Sequence, residues 1–171
     1  VLPTNENTDP AAIRIRNVTT TGFEMAQVEP EPQDGRSVPM TVDYIAMTEG
    51  VFTLPDGRTI EAGTHTTQTV QHGSGVPGGE GWDTVNYNNT FANPSVLLQI
   101  QGFANEYNNP PTTTSRPWLT ASIQNVGNTS FETALERSEV NDGNPATINT
   151  DETIAYLAID GNVQGSFTAQ G

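Results

Sequence analysis

The amino-acid sequence predicts an all-β protein built from two related antiparallel β-sandwich units, with no substantial helix. Three observations carry that expectation. Apolar side chains recur at the two-residue period of a strand, not the 3.6-residue period of a helix. Ile13 and Ile15 alternate with Arg14 and Arg16, and Val96, Leu98 and Ile100 occupy every second position of Ser95 to Gln101. Turn formers punctuate the chain throughout: it holds 16 glycines and 12 prolines, which break helices and close hairpins. Finally, the chain repeats itself.

The repeat organises every element. Ile13 to Ala26 recurs as Ala121 to Ala134 at an offset of 108, with identities at Ile15/Ile123, Asn17/Asn125, Val18/Val126, Thr21/Thr129, Phe23/Phe131, Glu24/Glu132 and Ala26/Ala134. Each copy reads as strand, turn, strand, with the turn at Val18 to Gly22 in the first. Glu31, Asp34 and Gly35 map onto Glu139, Asp142 and Gly143. The second copy then gains four residues, and Thr41 to Met47 matches Thr153 to Ile159 at an offset of 112. A length change of this kind belongs in a polar loop. The segment Thr41 to Met47 is apolar on both faces, with Val42, Tyr44 and Ala46 on one and Ile45 and Met47 on the other. That pattern predicts a central strand covered on both sides. Prolines 30, 32 and 39 confine the stretch before it to a loop.

Upstream, the second copy has two strands that the first lacks, around Val85 to Tyr87 and Ser95 to Gln101. Val1 and Leu2 are expected to be the tail of the first copy's counterpart of Ser95 to Gln101. Between the copies, Gly50 to Gln71 reads as a hairpin, with Asp56-Gly57 as its turn signal, and Gly73 to Gly81 as a glycine-rich linker. The expected organisation is an incomplete first unit over 1–48, hairpin and linker over 49–80, a complete second unit over 81–160 and an extension over 161–171.

The totals limit function. The formal charge is −14, and all six basic residues are arginines. Such a surface repels phosphate backbones and anionic membranes. It suits a salty medium or one rich in divalent cations, and it equally serves simple solubility. The chain has no cysteine, which removes thiolate metal sites, catalytic thiols and disulfides. No apolar run approaches the roughly 20 residues that a helix needs to cross a bilayer. The low charged content (15%) and abundant turn residues are those of a secreted or cell-surface β-protein.

The second copy resembles the H-type lectin domain. The likeness rests on the order Phe91-x-x-Pro94-x-Val96, Ile123-x-Asn125-Val126, Ser130-Phe131 and Ile154-Ala155-Tyr156-Leu157-Ala158. It covers about 80 residues, and the first copy matches its second half. The Asn-Val-x-x-Thr-Gly-Phe phrase is also similar to repeats of secreted bacterial surface proteins. The resemblance implies a six-stranded antiparallel sandwich that often assembles as trimers, and binding of N-acetylgalactosamine-type sugars at subunit boundaries. The family commonly carries a tryptophan after its Phe-containing strand. Here Val28-Glu29 and Glu136-Arg137 stand instead, so no family binding residue carries over.

Two residue sets are candidate sites. Trp82, Tyr107, Arg116 and Trp118 flank loops of the complete copy, where aromatic rings stack on sugar faces and a guanidinium bonds hydroxyls; the alternative is that both tryptophans cap the sandwich core. Glu31, Asp34, Glu139 and Asp142 lie in Asp/Asn/Gly-rich loops that resemble calcium-binding chemistry, although their spacing does not fit an EF-hand. The alternative there is a solvated turn. His65 and His72, with Glu61 or Asp83, make a weaker zinc set. Glu24 and Glu132 invite comparison with a glycosidase carboxylate pair, but each follows a core-type Phe and is expected to point outward. No Gly-x-Ser-x-Gly elbow occurs. The sequence therefore predicts no enzyme and no required cofactor, with calcium as the one candidate ion. Its predicted role is an extracellular carbohydrate-binding or adhesion module whose partners are glycans or other copies of itself. The alternative is a structural subunit of a filament or repeat array assembled by strand complementation.

Overall fold

A computed structural model describes residues 2–3, 11–30, 38–72, 79–105, 114–115, 118–137 and 148–161. The described residues are all β, with no helix and hence none long and apolar enough to cross a membrane. The strands are β1 (Leu2–Pro3), β2 (Ala12–Arg16), β3 (Glu24–Pro30), β4 (Val42–Asp43), β5 (Gly50–Thr53), β6 (Thr59–Thr67), β7 (Asp83–Asn86), β8 (Pro94–Ile100), β9 (Thr114–Ser115), β10 (Leu119–Gln124), β11 (Ser130–Arg137) and β12 (Glu152–Asp160).

Two antiparallel sheets form the principal sandwich, one in the order β5-β6-β12-β8 and the other β10-β11-β7. Their facing side chains make two apolar clusters. Val70, Ile100, Leu119, Leu135, Ile148 and Ile154 form one, and Val85, Tyr87, Phe91, Phe131, Tyr156 and Ala158 the other. Leu98 packs against both. On β12 the alternation is regular: Glu152, Ile154, Tyr156 and Ala158 are buried, while the residues between them are half-buried. The hairpin β5–β6 joins this sandwich directly. β6 is hydrogen-bonded along β12 from Glu152↔Thr67 to Ile159↔Ile60. The second unit thus uses residues from Gly50 onward as well as those over 81–160.

The internal repeat is reproduced in three dimensions. β2 pairs with β3 from Ala12↔Val28 to Arg16↔Glu24, and β10 pairs with β11 in the same register 108 residues later, from Thr120↔Glu136 to Gln124↔Glu132. Both connecting turns place an asparagine in the left-handed region, Asn17 at φ 51° and Asn125 at φ 48°, which Asn tolerates better than most residues. Both close with an equivalent bond. The Thr19 amide donates to the Gly22 carbonyl at 2.8 Å, and the Gly127 amide to the Ser130 carbonyl at 2.8 Å. A core contact repeats too. Phe23 and Tyr44 meet edge-on with ring centres 5.2 Å apart, as Phe131 and Tyr156 do at 5.3 Å.

β1 pairs with β4 as Leu2↔Asp43 and Pro3↔Val42. In the second unit the equivalent pairs are Gln99↔Ala155 and Ile100↔Ile154. Leu2 therefore stands where Gln99 stands, and β1 holds the place of the tail of β8.

Two expectations need correction. The segment Thr41–Met47 is not a doubly covered central strand: only Val42–Asp43 is strand, and Tyr44 and Ile45 are 62% and 65% exposed. Its counterpart β12 is central in its sheet, yet only one of its faces is fully buried. The apolar pattern is alike in both copies, so burial is decided by the presence of partner strands. Secondly, the alternation of Ile13 and Ile15 with Arg14 and Arg16 reads as a strand with one buried face, yet Arg14 on the arginine face is 1% exposed. That face lies against β8 and β10 of the second unit, where polar groups receive the guanidinium.

Candidate functional site

The expected binding residues fall into two groups. Tyr107 and Arg116 lie outside the described residues, as do all four expected calcium ligands, Glu31, Asp34, Glu139 and Asp142. Trp82 and Trp118 are described, and both are half-buried. The Trp118 indole N–H donates to the Val28 carbonyl at 3.2 Å. Its polar edge thus ties β10's approach to β3 of the first unit.

The histidines do not converge. His65 Nε2 lies 3.0 Å from Asp83, whose other oxygen accepts from the Thr69 hydroxyl at 2.8 Å. His72 Nδ1 lies 3.1 Å from Glu80. Burial raises the Asp83 pKa, but hydrogen bonds from Thr67, His65 and Thr69 outweigh it, so the carboxyl is held below its ordinary value. Among the described residues no three His, Asp or Glu side chains are grouped to hold a metal.

Glu24 and Glu132 serve their turns. Glu132 accepts from Gln124 and Asn125 side chains at 2.8 Å each. Glu24 accepts from Arg16 at 2.8 Å, and bonds from Arg16 and then Asn17 hold its pKa low. Each carboxylate thereby clamps the left-handed asparagine of its own hairpin.

Two buried carboxylates do work the sequence reading missed: Glu152 was not singled out there, and Glu61 was named only as a zinc candidate. Glu61, fully buried on β6, accepts from the Tyr156 hydroxyl at 2.8 Å, the Asn88 amide at 2.9 Å and the Asn88 side chain at 3.1 Å. Glu152, fully buried at the start of β12, accepts from the Asn105 amide at 3.1 Å and side chain at 2.8 Å. Each holds one asparagine by both its backbone and its side chain, which fixes a loop onto the sandwich. Glu152 also meets Arg14 at 3.5 Å. Arg14 further donates to the carbonyls of Gly102 and Leu119 and lies 5.2 Å from the centre of the Phe103 ring. Charges this deep are tolerated only when paired and bonded. No local pattern marks these residues, because their partners lie 27 or more positions away, at 138 for Arg14 and Glu152. Burial, and then the Glu61 bond, push the Tyr156 hydroxyl pKa up; burial, then the Glu61 charge, raise that of Tyr87 to about 12.

Between β2, β8 and β10 lies a cleft of about 170 Å³. Its walls are mainly aliphatic, with Arg14, Gln99 and Thr120 as the polar contributors. Among the described residues its lining includes no carboxylate or histidine.

The surface that stands out is the inner face of the first unit. Phe131 and Tyr156 are 1% and 6% exposed beneath β6, β7 and the ring of Phe91. Their counterparts Phe23 and Tyr44 pair in the same way, but Tyr44 is 62% exposed, and Met25, two residues along β3 from Phe23 and so on its face, is 54% exposed. This is a half-built core.

The chain is similar to part of halomucin. That protein comes from Haloquadratum walsbyi (strain DSM 16790 / HBSQ001). It is 29% identical over 150 residues, which is 86% of this chain and 1% of halomucin. A stretch of that length exceeds either repeat, so the similarity runs through both. The chain spans about one hundredth of halomucin's length. No family model matches the chain, and no solved structure does.

Proposed function

We propose that this chain is a non-catalytic section of an extracellular surface protein, in which β-sandwich repeats follow one another as structural units. The observation that carries this reading is the repeat itself: one hairpin built twice in the same register with the same left-handed asparagine. Structures of this kind gain stability from contacts between neighbouring repeats. The first unit leans on the second in that way, through Arg14, Gln99 and Trp118. The similarity to a short stretch of halomucin, a very much longer protein, supports the same reading and an exterior location. The acidic, lysine-free composition is in keeping with a solvated outer layer.

Antibody raised against the chain, applied to intact cells of the source organism and to their medium, tests the proposal. Label on the cell exterior or in the medium is the expected result. Protein found only inside the cells overturns it. The sugar-binding role implied by the lectin resemblance is read separately on a glycan array, with and without calcium. The expected signal is flat, and selective binding of an amino sugar would replace the structural reading with the lectin one.

A further inference from the structure

We infer that the open face of the first unit is a docking site for a segment of the β5–β8 kind contributed by another repeat. The inference rests on the proposal that the chain works as a repeat section. Its grounds lie in the two copies.

The second unit shows what covers this surface. β12 has β8 on one edge and β6 on the other. β4, its counterpart, has β1 on the β8 edge, in matching register, and among the described residues no strand on the β6 edge. β11 has β7 along Ser130 to Thr133. The corresponding stretch, Gly22 to Met25 at the start of β3, has no such neighbour among the described residues, and β9 reaches only Glu29 and Pro30. The incoming segment thus continues a ladder that is already begun. Exposed strand edges of this kind are templates for pairing.

The occupant is specified by side chains as well as by edges. In the second unit, Tyr156 lies directly across from Gly63, and a Cβ on Gly63 would sit 2.5 Å from the tyrosine hydroxyl. The tyrosine hydroxyl is then received by Glu61 two residues back along β6. Tyr44 occupies the equivalent place with its aromatic partner Phe23 already beside it. A strand with glycine opposite Tyr44 and a glutamate two residues earlier completes the site. A β7-type strand followed by Tyr87- and Phe91-like rings closes the core over Phe23. This chain's own β6 is committed to β12, so the segment comes from a further repeat.

The register also supplies the test. Because Leu2 holds the position of Gln99, a duplicate of residues 50–97 fused directly before Val1 runs into β1 in phase, with Val1 in the place of Leu98. Hydrogen–deuterium exchange then compares the fusion with the native chain. Amides of 42–47 and 22–25 are expected to exchange at least about tenfold more slowly in the fusion, with the fusion monomeric. The same fusion carrying G63V in the added copy only is expected to lose that protection, while 50–161 of the original sequence keeps its own. Unchanged exchange over 42–47 in a fusion whose second unit is intact overturns the inference. So does protection of 42–47 in the native chain alone as it dimerises at high concentration, which would make a second copy of this chain the occupant. Either result leaves the surface location to be judged by the antibody experiment.

Discussion

Gly63→Ala concentrates the logic of the sandwich in one methyl group. Gly63 lies on β6 opposite Tyr156, and a Cβ there would meet the tyrosine at 2.5 Å from Oη, 2.6 Å from Cζ and 2.7 Å from Cε1. Two ring carbons and the hydroxyl oxygen at that range leave no small adjustment, so the ring must move. It is wedged against Phe131 at 5.3 Å and Tyr87 at 6.4 Å, and its hydroxyl is bonded to the buried Glu61 carboxylate. Overpacking of this kind costs about 1–3 kcal/mol. Losing a hydrogen bond to a buried charged group costs about 1.5–3 kcal/mol. Together the expected destabilisation is about 3–5 kcal/mol, or a fall in Tm of roughly 10 °C for a chain this size. Alanine's better fit to an extended backbone offsets only about 0.5–1 kcal/mol. Urea unfolding followed by far-UV circular dichroism measures the change. The companion variant Tyr156→Ala removes the obstacle, so the two substitutions combined are expected to cost less than their sum, by about 1 kcal/mol or more. A Gly63→Ala protein within about 0.5 kcal/mol of the parent, the ordinary range for harmless surface changes, would refute the reasoning.

Further outcomes follow from other contacts. Arg14→Met leaves Glu152 buried without its cation and is expected to cost about 3 kcal/mol or more in chemical denaturation, with Arg14→Met/Glu152→Leu costing less than Arg14→Met alone. Asn125→Val forces a β-branched residue to φ 48° and is expected to lose about 1–2 kcal/mol, whereas Asn125→Gly stays close to the parent. Stability should fall at both ends of the pH range. Asp160, bonded by the Asn93 and Ala92 amides, is held below its ordinary value, as is Asp83; this stabilisation is present above the ordinary carboxylate range and is lost as pH falls through the lowered values. The phenol pKa of Tyr87 is raised to about 12 and that of Tyr156 is also raised, so their contribution is complete below pH 10 and disappears as pH climbs from there through the raised values. Calorimetry across pH, with tyrosinate absorbance at the alkaline end, reads both limbs. Finally, with a net charge of −14, Tm should rise with sodium chloride as the screening length contracts from about 10 Å at 0.1 M to about 3 Å at 1 M, and a chelator should leave that rise in place.

Much of the architecture was legible from residue order. The offset repeat foretold two copies of one hairpin, and the structure pairs them in identical register. The expectation that the N-terminal residues stand in for the end of the Ser95–Gln101 strand matches the β1–β4 pairing. Asn17 and Asn125 were visible as identities, and their conformation explains why a small amide is used at both turns. The candidate sites were less legible. Trp118 was read as either a ligand platform or a cap on the core, and its N–H is engaged by the Val28 carbonyl, 90 residues away. Glu61, Glu152 and Arg14 look like any surface charges until distant elements close over them.

By itself, then, the sequence determined the all-β class, the duplication, the hairpins and their turns, because alternation and turn chemistry act over a few residues. Tertiary structure alone decided which of two similarly patterned apolar segments is buried. Tyr44 and Tyr156 occupy matched positions beside matched phenylalanines, and one is 62% exposed while the other is 6% exposed. The difference lies in strands drawn from elsewhere in the chain, since burial is a property of the partners a segment finds, and a strand's own side chains specify only that it needs them.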